Sequence, residues 1–289
     1  MAATEEMKAK ETGRRDPFLR TESVSPLVLQ PRDRAILEQV YEYGLLTGEE
    51  IQQLSGFGCA TRRNIRLRAL FDHAYLDRKF LPTLTGNAKV LYLLGSKGAN
   101  VIAEQLGVDQ QTVKRRIRQV KEMKEMFLLH RLQVNRTRLT FSSAMNRSPE
   151  IRMELWKPEP ELLGVRLIPD GYCRYFYREQ LWSFFLELDR STESHRRIQA
   201  KAHEYLKFGL SGEYQSHFGL KFFRVLLVTL NEKRLSNLKR LIEKTTDKIF
   251  WLAAFEEISP ETVLFGRIWR RPNKDGLFAL HEEKHALLP

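Results

Sequence analysis

Apolar residues keep two different rhythms along this chain, and the change between them constrains what it can fold into. Between residues 32 and 73 they recur at helical spacing; beyond about Ile151 they collect in short runs rich in Phe, Val and Leu that alternate with helical stretches. At roughly 150 residues per domain, 289 residues with such a break suggest two domains. With 42% hydrophobic residues the chain can bury a sizeable core, which excludes disorder for most of its length.

Residues 1–30 alternate charges with Ser, Thr and Pro without a period and read as a flexible arm. Ile36, Leu37, Val40 and Tyr41 then mark a first helix, stopped by Gly44. Thr47 and Glu50 have the spacing of a capping box, whose hydroxyl and carboxylate satisfy free amides at a helix start, with Ile51 and Leu54 behind them. After the turn Ser55-Gly56-Phe57-Gly58, a third helix is predicted from about Ala60 to His73, with Ile65, Ala69 and Leu70 inward. Tyr75–Leu81, a Thr85-Gly86-Asn87 turn and Val90–Leu94 predict a hairpin. Three helices followed by a hairpin make a winged helix-turn-helix over residues 31–110. Ser96 is expected to cap a helix from Gly98 to Leu106. A longer basic helix, Gln111 to Leu132, falls in a linker spanning 111–150.

On the third helix Arg62, Arg63 and Arg66 fall at i, i+1 and i+4, where guanidinium forks could reach guanine edges or phosphates, and Asn64 could bond adenine. Arg78 and Lys79 in the wing would meet the flanking backbone. Three arginines are also what a merely solvated helix face would carry. Lys114, Arg115, Arg116, Arg118 and Lys121 suit a phosphate contact, a dimer helix or a solvated charge run equally well.

From about Ile151 to the end, strands are predicted at Val165–Ile168, Tyr172–Tyr177, Trp182–Leu188, Phe222–Leu230, Ile249–Phe255 and Val263–Trp269. Helices are predicted at Ser194–Phe208 and Leu235–Lys244. That order points to an α/β domain with a mixed sheet, so the fold class combines α+β and α/β across two domains. Within it, Ile168-Pro169-Asp170 precedes one strand, and Glu187-Leu188-Asp189 closes the next. Side chains alternate along a strand, so Glu187 and Asp189 share a face, and with Asp170 they make a carboxylate cluster suited to Mg²⁺. Asp189 and Glu193 would equally well cap the following helix and pair with Arg190, Arg196 or Arg197.

The Pro-Asp followed by Glu-x-Asp and a helix resembles the PD-(D/E)xK restriction-endonuclease-like superfamily, with Asp189 standing where that pattern has Lys. The resemblance implies a metal at Asp170 and Glu187, with Asp189 assisting. Lys201, on the stripe of Ile198 and Tyr205, is the candidate substitute for the missing lysine; a lysine snorkelling from the edge of the core would sit there too. The N-terminal winged helix, the run Phe185 to Glu193 and the helix with Lys201 and Tyr205 together resemble the bacterial replication-relaxation family of plasmid and mobile-element proteins, over roughly Arg32 to Trp269. That implies a double-stranded-DNA-binding protein acting in replication, relaxation or mobilisation through a restriction-endonuclease-like domain over 151–289, with a relaxase or replication initiator as candidate partner. The alternatives are an active Mg-dependent endonuclease using Asp170, Glu187, Asp189 and Lys201, and a transcriptional repressor whose C-terminal domain forms a homodimer.

Charge and cysteine content agree with an anionic partner and a reducing compartment. Lys and Arg outnumber Asp and Glu by 48 to 36, a net charge of +12. Two distant cysteines, Cys59 and Cys173, make neither a disulfide framework nor a zinc finger. No apolar run approaches the about 20 residues of a membrane span, so the expected location is the cytoplasm, with no membrane partner. There is no Walker-type phosphate loop, no Gly-x-Ser-x-Gly elbow and no His-hydrophobic-His motif of a tyrosine relaxase. His195, His203 and His217 read as solvent-facing.

Overall fold

The computed structural model describes residues 16–21, 24–81, 88–162, 167–191 and 193–282. The chain divides into two compact units, 1–132 and 133–289.

In the first unit, α1 (Pro31–Tyr43) starts with Pro31, whose missing N–H costs nothing there, and with Asp33 accepting from the Gln30 amide at 2.7 Å. The two-residue strand β1 (Leu46–Thr47) leads into α2 (Gly48–Ser55), which carries the expected capping box: Thr47 Oγ1 accepts from the Glu50 amide at 3.3 Å while Glu50 accepts from the Thr47 amide at 2.8 Å. Then come α3 (Ala60–Asp72) and the antiparallel strands β2 (Leu76–Leu81) and β3 (Lys89–Leu94), with β1 on the far side of β3 in the order β1-β3-β2. The expected turn at 85–87 lies outside the described residues. Helix α4 (Ser96–Leu106) packs back on this sheet; its N-cap is Gly95, not Ser96.

The predicted basic helix Gln111–Leu132 is interrupted. Helix α5 (Gln110–Lys121) begins at Asp109, whose carboxylate accepts from the Thr112 amide, and α6 (Glu125–Arg147) follows after a break and crosses the division between the units. Periodicity alone hid the break, because apolar residues resume in phase after it: Val120, Leu128 and Leu132 share one cluster with Leu45, Leu81, Leu91 and Leu93.

The arm is not free where it is described. Arg20 donates to the Phe71 carbonyl at 2.8 Å, Arg68 donates to the carbonyls of Asp16 and Leu19 at 2.7 and 2.8 Å, and the Thr21 amide donates to Asp72 at 3.1 Å. Polar composition suggested flexibility, but backbone carbonyls of the arm answer arginines of α3, a match composition does not display.

The second unit is built on a five-stranded mixed sheet ordered β4-β5-β6-β7-β8. Strands β4 (Ile151–Pro158), β5 (Gly171–Tyr177) and β6 (Gln180–Asp189) are antiparallel neighbours; β7 (Arg224–Thr229) and β8 (Phe250–Ala254) run parallel to β6. The parallel steps cross through helices: α7 (His195–Leu210) and the short α8 (Glu213–Phe218) precede β7, and α9 (Glu232–Glu243) precedes β8. Strand β6 shows why alternation matters. Phe184, Leu186 and Leu188 enter one core with Trp156, Trp182 and Phe141 of α6, while Phe185 enters the other with Tyr205 and Phe208 of α7.

Two strand predictions do not hold. Val165–Ile168 is no strand in its described part, Leu167–Ile168, and its first two residues lie outside the described ones. Val263–Trp269 is mainly turns, joined to the sheet by an isolated bridge between Leu252 and Arg270; its apolar residues Val263, Leu264, Ile268 and Trp269 are core packing rather than ladder. Among the described residues no helix is long and apolar enough to cross a membrane.

Candidate carboxylate–lysine site and basic helix face

Strand pairing sets Asp170 beside Glu187. Asp170 stands one residue before β5, and the register pairs Gly171 with Leu186. The Asp170 amide donates to the Leu186 carbonyl at 3.0 Å, and the Leu188 amide donates to Asp170 Oδ2 at 2.7 Å, so this carboxylate is knitted to the end of β6. Glu187 shares the face of Phe185, under α7, and is 4% exposed. Lys201 Nζ donates to Glu187 Oε2 at 2.6 Å, and Tyr205 Oη donates to Glu187 Oε1 at 2.6 Å. One turn apart on α7, the two donors reach down on one stripe to grip one carboxylate. Glu193 Oε1 lies 3.3 Å from Lys201 Nζ and 3.4 Å from Arg197.

The electrostatics follow from burial. Loss of water pushes the Glu187 carboxyl up to about 7; the Lys201 ammonium opposes this shift, and the charge of Asp170 adds to it. Burial alone would lower Lys201, yet the charge of Glu187 and its hydrogen bond hold the ammonium well above its ordinary range. Tyr205 is raised by burial first and by the neighbouring Glu187 second, which keeps it a donor.

Asp189 does not join this group. It lies on the same face, as period two requires, but is 2% exposed and clasped by Arg234 of α9, whose Nε and Nη2 donate at 2.7 and 3.1 Å; Thr229 adds a bond at 3.2 Å. Arg234 and Thr229 are thus the partners of Asp189, whereas Asp170, Glu187, Lys201, Tyr205 and Glu193 interact with one another. Nothing in the sequence near Asp189 marks Arg234, because the contact spans a separation of 45 residues. Tyr205 and Lys201 carried a signal, the i, i+4 pair facing the sheet.

No group of three or more His, Cys, Asp or Glu suited to a metal occurs among the described residues. The carboxylates of Asp170 and Glu187 are hard oxygen donors of the kind that Mg²⁺ takes, and both Glu187 oxygens already accept from Lys201 and Tyr205.

In the first unit, α3 presents a different face from the one expected. Ile65 is 66% exposed and Ala69 half-buried, while Arg63 is only 8% exposed. The inward stripe is Leu67, Leu70 and Phe71, one step round the helix from the expected one. Arg63 donates to Gln52 at 2.9 Å and to Asn64 at 3.1 Å, and pairs with Glu49 at 3.6 Å. Arg66 donates to buried Asp33 at 2.7 Å and to the Val28 carbonyl at 3.1 Å. Arg78 is sandwiched over Phe71 and Tyr92 at 4.5 and 5.4 Å, and Lys79 donates to the carbonyls of Lys121 and Met123 at 2.7 and 2.9 Å, closing the end of α5. Arg62, Asn64 and Ile65 remain on the exposed face.

Comparison with known proteins gives one family and two distant solved structures. The model of the replication-relaxation family matches residues 37–222, well over half of the chain, although it stops short of the expected limit at Trp269. Among solved structures, restriction endonuclease FokI is similar at 13% identity and a TM-score of 0.31, over 78% of this chain and 42% of that one. FokI bound to DNA is similar at 12% and 0.28, over 89% and 49%. The chain spans less than half the length of either, and likenesses this distant leave the fold to be judged on its own topology. No curated protein matches. The family match, together with the ordered run from Phe185 to Glu193 that it contains, places this chain in the replication-relaxation family.

Proposed function

We propose that the protein binds double-stranded DNA of a plasmid or mobile element in its replication, relaxation or mobilisation, and that its second unit handles a phosphodiester with a divalent ion. The observation that carries the second part is the 2.6 Å contact of Lys201 with Glu187, beside Asp170. It supplies, from the next helix, the cation that the Glu-x-Asp step lacks. A restriction-endonuclease-like reading of the mixed sheet rests on the same order: Pro-Asp before one strand, the acid on the next, the lysine on the helix behind. Asp170 and Glu187 would hold Mg²⁺, which polarises a phosphate and lowers the pKa of bound water. Lys201 would stabilise charge on the phosphate.

DNA contact is assigned to a winged helix in the first unit. The three helices and the β2–β3 hairpin have that order, and α3 offers Arg62 and Asn64 for base edges with Ile65 exposed between them. A partner relaxase or initiator and a homodimer belong to this reading as proposals.

A second reading, binding without cleavage, is favoured by one observation: both oxygens of Glu187 already accept from the chain's own Lys201 and Tyr205. A gel shift, run beside Mg²⁺- or Mn²⁺-dependent cleavage of supercoiled plasmid, separates the two. Cleavage that needs metal and vanishes in Asp170→Ala/Glu187→Ala supports the nuclease. A shift without cleavage supports a binding factor or, where it maps to a promoter operator, a repressor. Absence of any shift overturns both.

A further inference from the structure

We propose that Lys201 is a resident counterion exchanged for the divalent ion, and that Glu193 receives its ammonium when the ion enters. This rests on the metal-dependent reading above and adds how the site is regulated. Glu187 is buried, and a carboxylate taken out of water needs a positive partner. In this structure that partner is Lys201, 2.6 Å from Oε2, while Tyr205 donates to Oε1. A divalent ion shared by Asp170 and Glu187 brings two positive charges to the oxygens that hold the ammonium. Two cations side by side on one desolvated carboxylate repel, so entry of the ion expels Nζ from Oε2.

The expelled group has somewhere to go. Glu193 Oε1 is already 3.3 Å from Nζ, and the Lys201 side chain is 30% exposed, so it can turn toward the rim without unfolding α7. Glu193 Oε2, buried and without a hydrogen-bond partner, offers a further acceptor on that carboxylate. The exchange keeps Glu187 neutralised throughout: by lysine before the ion arrives, by the ion afterwards. It also leaves a protonated amine beside the metal, positioned for an anionic oxygen of a DNA strand.

The test is Mn²⁺ binding to the full chain, followed by electron paramagnetic resonance of the free ion, which needs no cleavage. Lys201→Met removes the competitor and is expected to bind Mn²⁺ at least tenfold more tightly than the unaltered protein. Glu193→Gln removes the receiving carboxylate and is expected to bind severalfold more weakly. Because Glu193 acts through Lys201, its substitution should have no effect in the Lys201→Met background, whereas a general loss of negative charge would weaken both backgrounds alike. Unchanged or weaker binding by Lys201→Met overturns the exchange, and equal losses in the two backgrounds overturn the role of Glu193. Should Lys201→Met fail to fold, unchanged affinity in Glu193→Gln alone overturns the proposal. If the unaltered protein and Asp170→Ala both bind no Mn²⁺, the metal-dependent reading itself falls.

Discussion

Arg234 holds both carboxylate oxygens of Asp189 across the parallel β6–β7 step, at 2.7 and 3.1 Å, and the pair is almost sealed from water. A fork-to-fork contact of this kind fixes where α9 sits on the sheet. Removing one member leaves a buried charge without its partner, so Arg234→Met should cost about 3–5 kcal/mol. Denaturant unfolding would read that loss as a lower midpoint with an unchanged slope. Metal affinity, by contrast, should not move in Asp189→Asn; a loss there would return Asp189 to the cluster of Asp170 and Glu187.

Arg62 and Arg66, one turn apart on α3, should behave oppositely. Arg62 is exposed, and Arg62→Ala should weaken DNA binding by about 1–3 kcal/mol if it meets a base edge, or reduce the salt slope by about one if it meets a phosphate. Arg66 is bound to Asp33, itself 1% exposed, so Arg66→Ala should lower the melting temperature. Titrations of one duplex at several salt concentrations, alongside thermal melts, would expose a reversal of these roles.

Local chemistry was legible in the sequence, and partner choice was not. The capping box at Thr47 and Glu50, the Gly44 stop and the shared face of Glu187 and Asp189 follow from rules that act over a few residues, and each stands in the fold. Strand β4 is legible by period two, since Ile151, Met153 and Leu155 alternate with Arg152 and Glu154 as an edge strand's residues do, whereas Val263–Trp269 shows that a buried apolar run need not be a strand. The face of α3 was misjudged by a single step: Arg63 is drawn inward by Gln52 and Glu49 of α2, and Ile65 turns out in consequence. Within the candidate site, Lys201 was legible from its stripe on α7, whereas Arg234 was not, since no local pattern announces a contact between β6 and α9.

Asp72 ties the arm to α3 through its carboxylate, which accepts from the Thr21 amide and from Arg68 at 2.9 Å. Burial would raise its pKa, but the bonds from Arg68 and Thr21 outweigh it and hold it below the ordinary 3.8. A carboxylate depressed in the folded state binds fewer protons there than in the unfolded chain. Its contribution is therefore present above about pH 3.8 and is lost as pH falls through the lower folded value. Hydrogen exchange at the Thr21 amide, corrected for its intrinsic rate, should accelerate on acidification below that point in the unaltered protein. In Asp72→Ala, which leaves no side-chain acceptor, it should be fast already at neutral pH. Equal protection in the two proteins would detach the arm from this carboxylate.

Gly98 marks the closest approach of α4 to the end of the hairpin. A Cβ built there would lie 2.2 Å from the Tyr75 carbonyl oxygen, and one at Gly95 would lie 2.4 Å from that of Ala74. Backbone atoms cannot step aside as a flexible side chain does, so only a residue without Cβ lets the helix start against the strand. Gly98 lies in a helical segment where Ala would otherwise be favoured, by about 1 kcal/mol. If the packing holds, Gly98→Ala should nevertheless destabilise the first unit, by about 1–3 kcal/mol as overpacking does. Exposed Gly56 gives the contrast: with φ +64° and no atom within 4 Å, its substitution is penalised by backbone conformation alone. Unfolding of both variants would separate a steric penalty from a conformational one, and a stabilised Gly98→Ala would mean that α4 does not begin against β2.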